Sequence, residues 1–307
     1  MNIPAFLLKW IGAFLTQRQQ QVKIGNVISS PANLNGGLPQ GTKLGPILFI
    51  LMINDLKPST CETFKYVDDT SSVQISKVPS DPSLQIAADE ISSWSLNNDT
   101  QLYPSKTKEL LIDFSTKRTG FPDITIDGIA IERVNSAKML GVSISDNLKW
   151  NEHVEQITCK ASKRLYMLTR LKKAGVPSKD ILTVYLSKIR SLLEYGCEAW
   201  HPGLTEYLDS DIENIQKRAL SIIYSHGMPY ETALQQAKLQ TLRQRRNVLC
   251  KRFVQKMMDP GHKLHHLLPP TRAIPYNLRR AKQYKGPGSK RKRTDGALVN
   301  WFLLHNN

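Results

Sequence analysis

Apolar positions recur at helical spacing from the start of the chain: Phe6, Leu7, Trp10, Ile11, Phe14 and Leu15 predict an amphipathic helix. Alternation then takes over, and 21–25 with 27–28 read as short strands around a Gly-Asn turn. A glycine-rich stretch, 36–41, precedes the apolar run Ile47 to Ile53, which reads as a helix. Two further runs, Phe64-Lys65-Tyr66-Val67 and Ser72-Val73-Gln74-Ile75, flank the adjacent carboxylates Asp68 and Asp69. They predict a β-hairpin with both acids in or beside its tight turn, because Asp tolerates left-handed backbone. Residues 82–98 read as a helix with Leu84, Ile86, Ala87, Ile91 and Trp94 inward. Residues 109–114 read as a strand, 124–131 as a hairpin turning at Asp127-Gly128, and 139–144 as another strand. Helices mixed with antiparallel strands make this half α+β.

From Trp150 the period becomes helical throughout. Val154, Ile157, Ala161, Leu165, Leu168 and Leu171 mark a helix over 152–174, stopped by Gly175 and Pro177. Its polar face carries Lys160, Lys163, Arg164, Arg170, Lys172 and Lys173. Further helices are predicted over 178–200, 208–224 and 239–258, the last rich in Arg243, Arg245, Arg246, Lys251 and Arg252. From Pro269 the chain is Pro-, Gly- and Lys/Arg-rich, a composition that predicts disorder. The expected divisions are therefore 1–148, 149–268 and 269–307.

Charge sharpens this division. The chain of 307 residues carries a formal net charge of +16. Residues 1–148 hold 13 Lys and Arg against 14 Asp and Glu, whereas 149–307 hold 29 against 12. The basic excess thus belongs to the helical half, as in a polyanion-binding module beside a neutral one. A solvated basic surface without a partner is the alternative. Cys61, Cys159, Cys197 and Cys250 are scattered, which suggests neither a disulfide framework nor a zinc site and fits a reducing, intracellular compartment, cytoplasmic or nuclear. The longest apolar run is too short to span a bilayer, and the start of the chain lacks the pattern of a signal peptide, so no membrane partner is expected. Lys290-Arg291-Lys292-Arg293 reads as a nuclear-import signal for an import receptor, a nucleic-acid patch or a solubilising tail.

The candidate chemistry lies in the first half. Adjacent carboxylates at a hairpin tip repel one another, and a hard divalent cation would resolve that repulsion. A polar, solvated turn is the plainer reading of such a pair. Upstream, Gly36-Gly37-Leu38-Pro39-Gln40-Gly41-Thr42-Lys43-Leu44-Gly45-Pro46 lets backbone approach a ligand, and Gln40 offers donor and acceptor together. Gly-Leu-Pro-Gln-Gly-Thr, Leu-Gly-Pro, an apolar helix, Asn54-Asp55-Leu56 and then Tyr66-Val67-Asp68-Asp69, in that order, resemble the reverse transcriptases of non-LTR, LINE-like retrotransposons.

The resemblance implies a partial polymerase palm, then an all-helical thumb-like region whose six basic residues lie along the nucleic-acid backbone. It implies an RNA template, a DNA primer and deoxynucleoside triphosphates as partners, with Mg²⁺ or Mn²⁺ held by Asp68 and Asp69. Gly37, Pro39, Gln40, Gly41, Tyr66 and Val67 would then line the nucleotide and template site. Lys106, after Pro104-Ser105, would stand near the leaving pyrophosphate, and Leu140-Gly141-Val142 would border the primer. The chain departs from the family in one respect. A further aspartate on a strand preceding the first helix has no counterpart, since no Asp precedes Asp55, and the fingers region is not matched either. The expectation is a 5′-truncated copy, inactive alone, with a non-catalytic nucleic-acid-binding remnant as the alternative.

Overall fold

A computed structural model of the chain describes residues 3–34, 36–76, 78, 80–115, 120–224, 227–270 and 297–305, the last three as backbone. Lys290 to Arg293 lie outside the described residues. Two compact units are present: Met1–Glu109 with Lys117–Arg133, and Leu110–Thr116 with Val134–Asn307. Helices and two-stranded antiparallel sheets together make the chain a mixed α and β protein, compatible with α+β.

The first unit opens with α1 (Ala5–Leu15), followed by β1 (Gln19–Gln20), β2 (Lys23–Ile24), β3 (Val27–Ile28) and β4 (Ala32–Asn33). The hairpin β2–β3 sits inside the pair β1–β4. Next come α2 (Leu44–Met52), a 3₁₀ turn at Ile53–Asp55, and the hairpin β5 (Glu62–Tyr66)–β6 (Asp69–Val73). Helix α3 (Ser83–Asn97) starts where the Asp81 carboxylate accepts the Ser83 N–H at 3.0 Å and its hydroxyl at 2.6 Å, bonds that hold its pKa at about 2. Strand β7 (Lys108–Leu110) is shorter than the strand predicted over 109–114. The hairpin β8 (Thr125–Ile126)–β9 (Ile129–Ala130) turns at Asp127 and Gly128, both with positive φ, as Asp-Gly requires. Strand β10 (Glu132–Val134) follows. The buried apolar side chains of this unit, among the described residues, are Ile53, Leu56, Ala87, Ile126 and Ile131.

The second unit is differently packed. Hairpin β11 (Ser136–Met139)–β12 (Val142–Ser145) leads into α4 (Asn151–Lys173), which buries the predicted stripe Val154, Ile157, Ala161, Leu165 and Leu168. The helix predicted over 178–200 is not continuous. It divides into α5 (Ser178–Tyr185), a π-helical stretch at Leu186–Arg190, α6 (Ser191–Glu194) and α7 (Cys197–Trp200). Tyr195 leaves helical geometry at ψ 123°, and Gly196 takes the left-handed φ of +61°, which suits glycine. Helix α8 (Glu206–Ile223) matches its predicted span closely. An additional helix, α9 (Tyr230–Ala237), precedes α10 (Leu242–Met257), which begins three residues later than predicted. Within the stretch predicted disordered, Leu298–His305 forms α11, and Trp301 and Phe302 are buried in the core. Apolar burial overrides the local composition there.

A charged knot lies inside this core. Arg246 is fully buried and donates to the Asp209 carboxylate from Nη2, and to His201 Nδ1 at 3.3 Å from Nε. His201 Nε2 and Asn247 Oδ1 lie 2.7 Å apart. Arg243 also reaches Asp209, at 3.4 Å, and Arg245 reaches Glu194 at 3.5 Å. Three arginines of α10 are therefore paired with carboxylates of the same unit, Arg246 buried, Arg245 half-buried and Arg243 exposed. Glu213 on α8 accepts the Leu242 and Arg243 N–H groups at 3.1 and 3.3 Å, so it caps the N-terminus of α10. Thr241 and Gln244 complete a capping box.

Burial, reinforced by the Arg246 charge, pushes the His201 pKa down to about 4 from 6.5. The unfolded chain therefore binds a proton between pH 6.5 and 4 that the folded chain refuses. This contribution to stability is complete above pH 6.5 and is lost as pH falls through 4. Urea unfolding at pH 7, 6, 5 and 4 should show a loss of about 3 kcal/mol, reduced in His201→Gln.

Candidate functional site

The glycine loop is folded as a lock at the start of α2. Thr42 Oγ1 donates to the Pro39 carbonyl at 3.0 Å and accepts the Gly45 N–H at 3.1 Å. A Cβ at Gly45 would stand 2.7 Å from the Pro39 oxygen, so glycine is required by contact there. Gly37 and Gly41 both have φ of +76°, and Arg18 donates to the Gly36 and Gly37 carbonyls. Gly37, Gln40 and Gly41 are exposed and Pro39 is half-buried, so the loop presents backbone and the Gln40 amide outward.

The acidic hairpin is built differently from its prediction. Tyr66 pairs with Asp69, which leaves Val67 and Asp68 as the two turn residues. The left-handed position falls on Val67, at φ +55°, rather than on an aspartate. A β-branched residue there carries strain of roughly 1–3 kcal/mol. Side chains alternate across the strands, so Phe64, Tyr66 and Asp69 share the exposed face, while Thr63 and Lys65 turn inward. Asp68 projects from the turn, and both carboxylates are exposed.

Lys65 connects the two motifs. Its Nζ donates to the carbonyls of Ile53, Asn54 and Leu56 at 2.6, 3.2 and 3.0 Å. These carbonyls belong to the turn that ends α2, where a helix leaves its last acceptors unpaired. One ammonium therefore fixes the Tyr66-Val67-Asp68-Asp69 hairpin to the helix that follows the glycine loop. Burial lowers its pKa, with the Lys57 charge adding and Asp55 opposing. Nothing in the local sequence distinguishes this lysine from a solvated strand residue, and a missing donor at Asn54-Asp55-Leu56 was the one available signal.

Lys106 lies in the turn after α3, exposed, with Nζ 4.7 Å from the Tyr103 ring centre. Its cation is thus held over an aromatic face. The basic residues of α4 belong to the second unit and fall into two groups. Arg164 donates to the Lys188 carbonyl in the π-helical stretch, and Lys172 to the Ile223 carbonyl at 2.7 Å, closing the end of α8. Lys160, Lys163, Arg170 and Lys173 are exposed, with no hydrogen bond or ion pair among the described residues.

The described residues do not complete a divalent-ion centre. No group of three or more His, Cys, Asp or Glu among them is placed to hold a metal ion. Asp68 and Asp69 supply two carboxylates, fewer hard ligands than two divalent ions require. No described helix is long and apolar enough to cross a membrane.

Comparison with known proteins gives one consistent kinship. The chain is 27% identical over 227 residues to the probable RNA-directed DNA polymerase from transposon X-element of Drosophila melanogaster, covering 70% of this chain and 24% of that protein. It is 23% identical to the probable RNA-directed DNA polymerase from transposon BS of the same fly, over 72% of this chain and 26% of the relative. The RNA-directed DNA polymerase from mobile element jockey matches at 23% identity over 74% of this chain and 26% of its own length. The chain spans about a quarter of the length of these relatives. No family model matches it, and no solved structure does.

Two glycines test the loop. Helix propensity alone would make alanine better by about 1 kcal/mol at either Gly12 in α1 or Gly45 in α2. Gly12 has open space around it, so Gly12→Ala should stabilise by that amount. Gly45→Ala should instead destabilise by about 2 kcal/mol, because its Cβ meets backbone. Lys65→Met should cost about 1–2 kcal/mol by leaving the Asn54 and Leu56 carbonyls without their donor, while Ile53 keeps the Leu56 N–H at 3.2 Å. Urea denaturation checks all three.

Proposed function

We propose that this chain, whose kinship is with the reverse transcriptases of non-LTR, LINE-like retrotransposons, is the palm-side part of such a polymerase joined to a thumb-like helical bundle. The observation that carries this is the Lys65 staple, which joins the acidic hairpin to the helix after the glycine loop. The first unit would present Asp68 and Asp69 at the reacting end and the 37–41 backbone, with Gln40, to an incoming deoxynucleoside triphosphate and its template base. Tyr66 and Val67 shape that same edge. Lys106 would neutralise charge on departing pyrophosphate or donate a proton to it. The second unit would lie along an RNA–DNA duplex through Lys160, Lys163, Arg170 and Lys173 on α4. Arg164 and Lys172 mainly hold the bundle together.

Mg²⁺ or Mn²⁺ chemistry needs ligands beyond the two carboxylates, so the chain by itself does not extend a primer. Alone it acts as a nucleic-acid-binding protein without sequence preference, since phosphate contacts position a duplex but do not read it.

Primer extension with an RNA template, a DNA primer, deoxynucleoside triphosphates and Mg²⁺ should give no product with the wild-type chain or with Asp68→Ala. Product from the wild type that vanishes in Asp68→Ala would overturn the inactivity. Duplex binding should weaken with salt at a log–log slope of roughly −4, for four neutralised phosphates. Lys163→Ala with Arg170→Ala should bring that slope down by roughly 2. No binding at low salt would remove the duplex-gripping role.

A further inference from the structure

Helix α4 has two opposite faces. Val154, Ile157, Ala161, Leu165 and Leu168 are buried in the bundle, so the side turned away from them meets solvent. Lys163, Tyr166, Met167 and Arg170 lie on that outer side, with Lys160 and Lys173 towards its ends, and all of these are exposed. The sequence spacing puts the Tyr166 ring about one turn from a cation on either side, Lys163 before it and Arg170 after it. Those two cations stand about 10 Å apart along the helix axis. No acidic residue occurs between Glu155 and Asp180, so the positive charge of this face is unopposed by its own helix.

Tyr166 differs from the other described tyrosines of its unit. The hydroxyls of Tyr185 and Tyr195 donate to Gln216 and to the Leu140 carbonyl, each at 2.8 Å. Tyr230 donates to Glu213, Tyr207 accepts from Asn151, and Tyr224 packs against the core. Tyr166 is 67% exposed and makes no hydrogen bond or ring contact among the described residues. An aromatic ring left in water forgoes the burial and stacking that would stabilise it. A row of cation, ring and cation is complementary to a polyanion whose repeating unit also carries a flat apolar face. A nucleotide is such a unit, with its phosphate suited to the cations and its base to the ring. In an intact duplex each base is covered by its neighbours, whereas in a single strand the face is free to stack on a side chain.

We propose that Tyr166 stacks on an unpaired base while Lys163 and Arg170 hold the phosphates to either side, so that α4 grips a junction of duplex and single strand more tightly than duplex alone. This rests on the nucleic-acid-binding role given above and adds to it a preference for unpaired nucleotides. The contact is blind to base identity, because every base has such a face. Met167 widens the apolar surface beside the ring.

Binding is compared for a blunt RNA–DNA duplex, the same duplex with a single-stranded overhang, and that duplex with the overhang made abasic, which keeps every phosphate and removes the bases. The wild-type chain should bind the base-bearing overhang roughly tenfold more tightly than the abasic one. Tyr166→Ala should bring that ratio to about 1, and Tyr166→Phe should keep it. Lys163→Ala should instead lower the salt slope by about 1. Because the ring is exposed, Tyr166→Ala should shift Tm by less than about 3 °C, which separates loss of the ratio from loss of the fold. A wild-type ratio near 1 beside firm binding of the blunt duplex refutes the stacking and leaves the function proposed above standing. An undiminished ratio in Tyr166→Ala refutes the assignment to this ring, and equal loss in Tyr166→Phe overturns stacking in favour of a hydroxyl contact. A chain that binds none of the three refutes the proposed function, and the stacking falls with it.

Discussion

A guanidinium sealed from water must find its partners inside the protein, and the helical unit is arranged around that demand. Arg246 is fully buried, and its charge is met by Asp209 on α8 and by His201 beside α7. Removing one partner of such a pair leaves an uncompensated buried charge, which costs far more than the pair gains. The knot therefore sets where α7, α8 and α10 stand. His201 stays neutral because it is buried, an effect the neighbouring guanidinium reinforces, and its ring contacts Trp200 and Trp301 edge-on. Through Trp301, the terminal helix α11 is drawn into the same core.

The first unit uses a smaller version of this logic. Few of its apolar side chains are buried, and α1 buries none among the described residues. Its cohesion relies more on polar links: Asp81 at the start of α3, Thr42 within the glycine loop, and Lys65 across the end of α2. A chain that gains little from hydrophobic burial depends on such bonds to hold its loops in place. The acidic hairpin and the glycine loop, which the family resemblance associates with the substrate, are both held by them.

Both notable hairpins put an apolar residue where backbone strain is greatest: Val67 before Asp68, and Leu140 before Gly141. Asn or Gly would be easier to accommodate at either position. Strain of this kind persists when the surroundings over-determine it. For Leu140 the surroundings are visible in Tyr195 and Gly196, and for the acidic hairpin in the Lys65 anchor one residue pair from its turn.

Much of this protein was legible in the chain itself. Periodicity located α1, α3, α4 and α8, the Asp-Gly pair located its own hairpin, and ordered motifs pointed to a polymerase family through residues near one another in sequence. What tertiary structure decided were the long-range pairings. Arg243, Arg245 and Arg246 read as a basic run, yet carboxylates 34 to 51 positions away pair with all three and draw Arg246 into the core. The 178–200 helix breaks because a hairpin some 50 positions earlier occupies the space beside Gly196. Leu298–His305 is ordered despite its disorder-prone surroundings because Trp301 finds a buried site against His201. Local pattern records what a segment prefers, whereas the partner that satisfies a buried charge or fills a gap exists only once distant segments have come together.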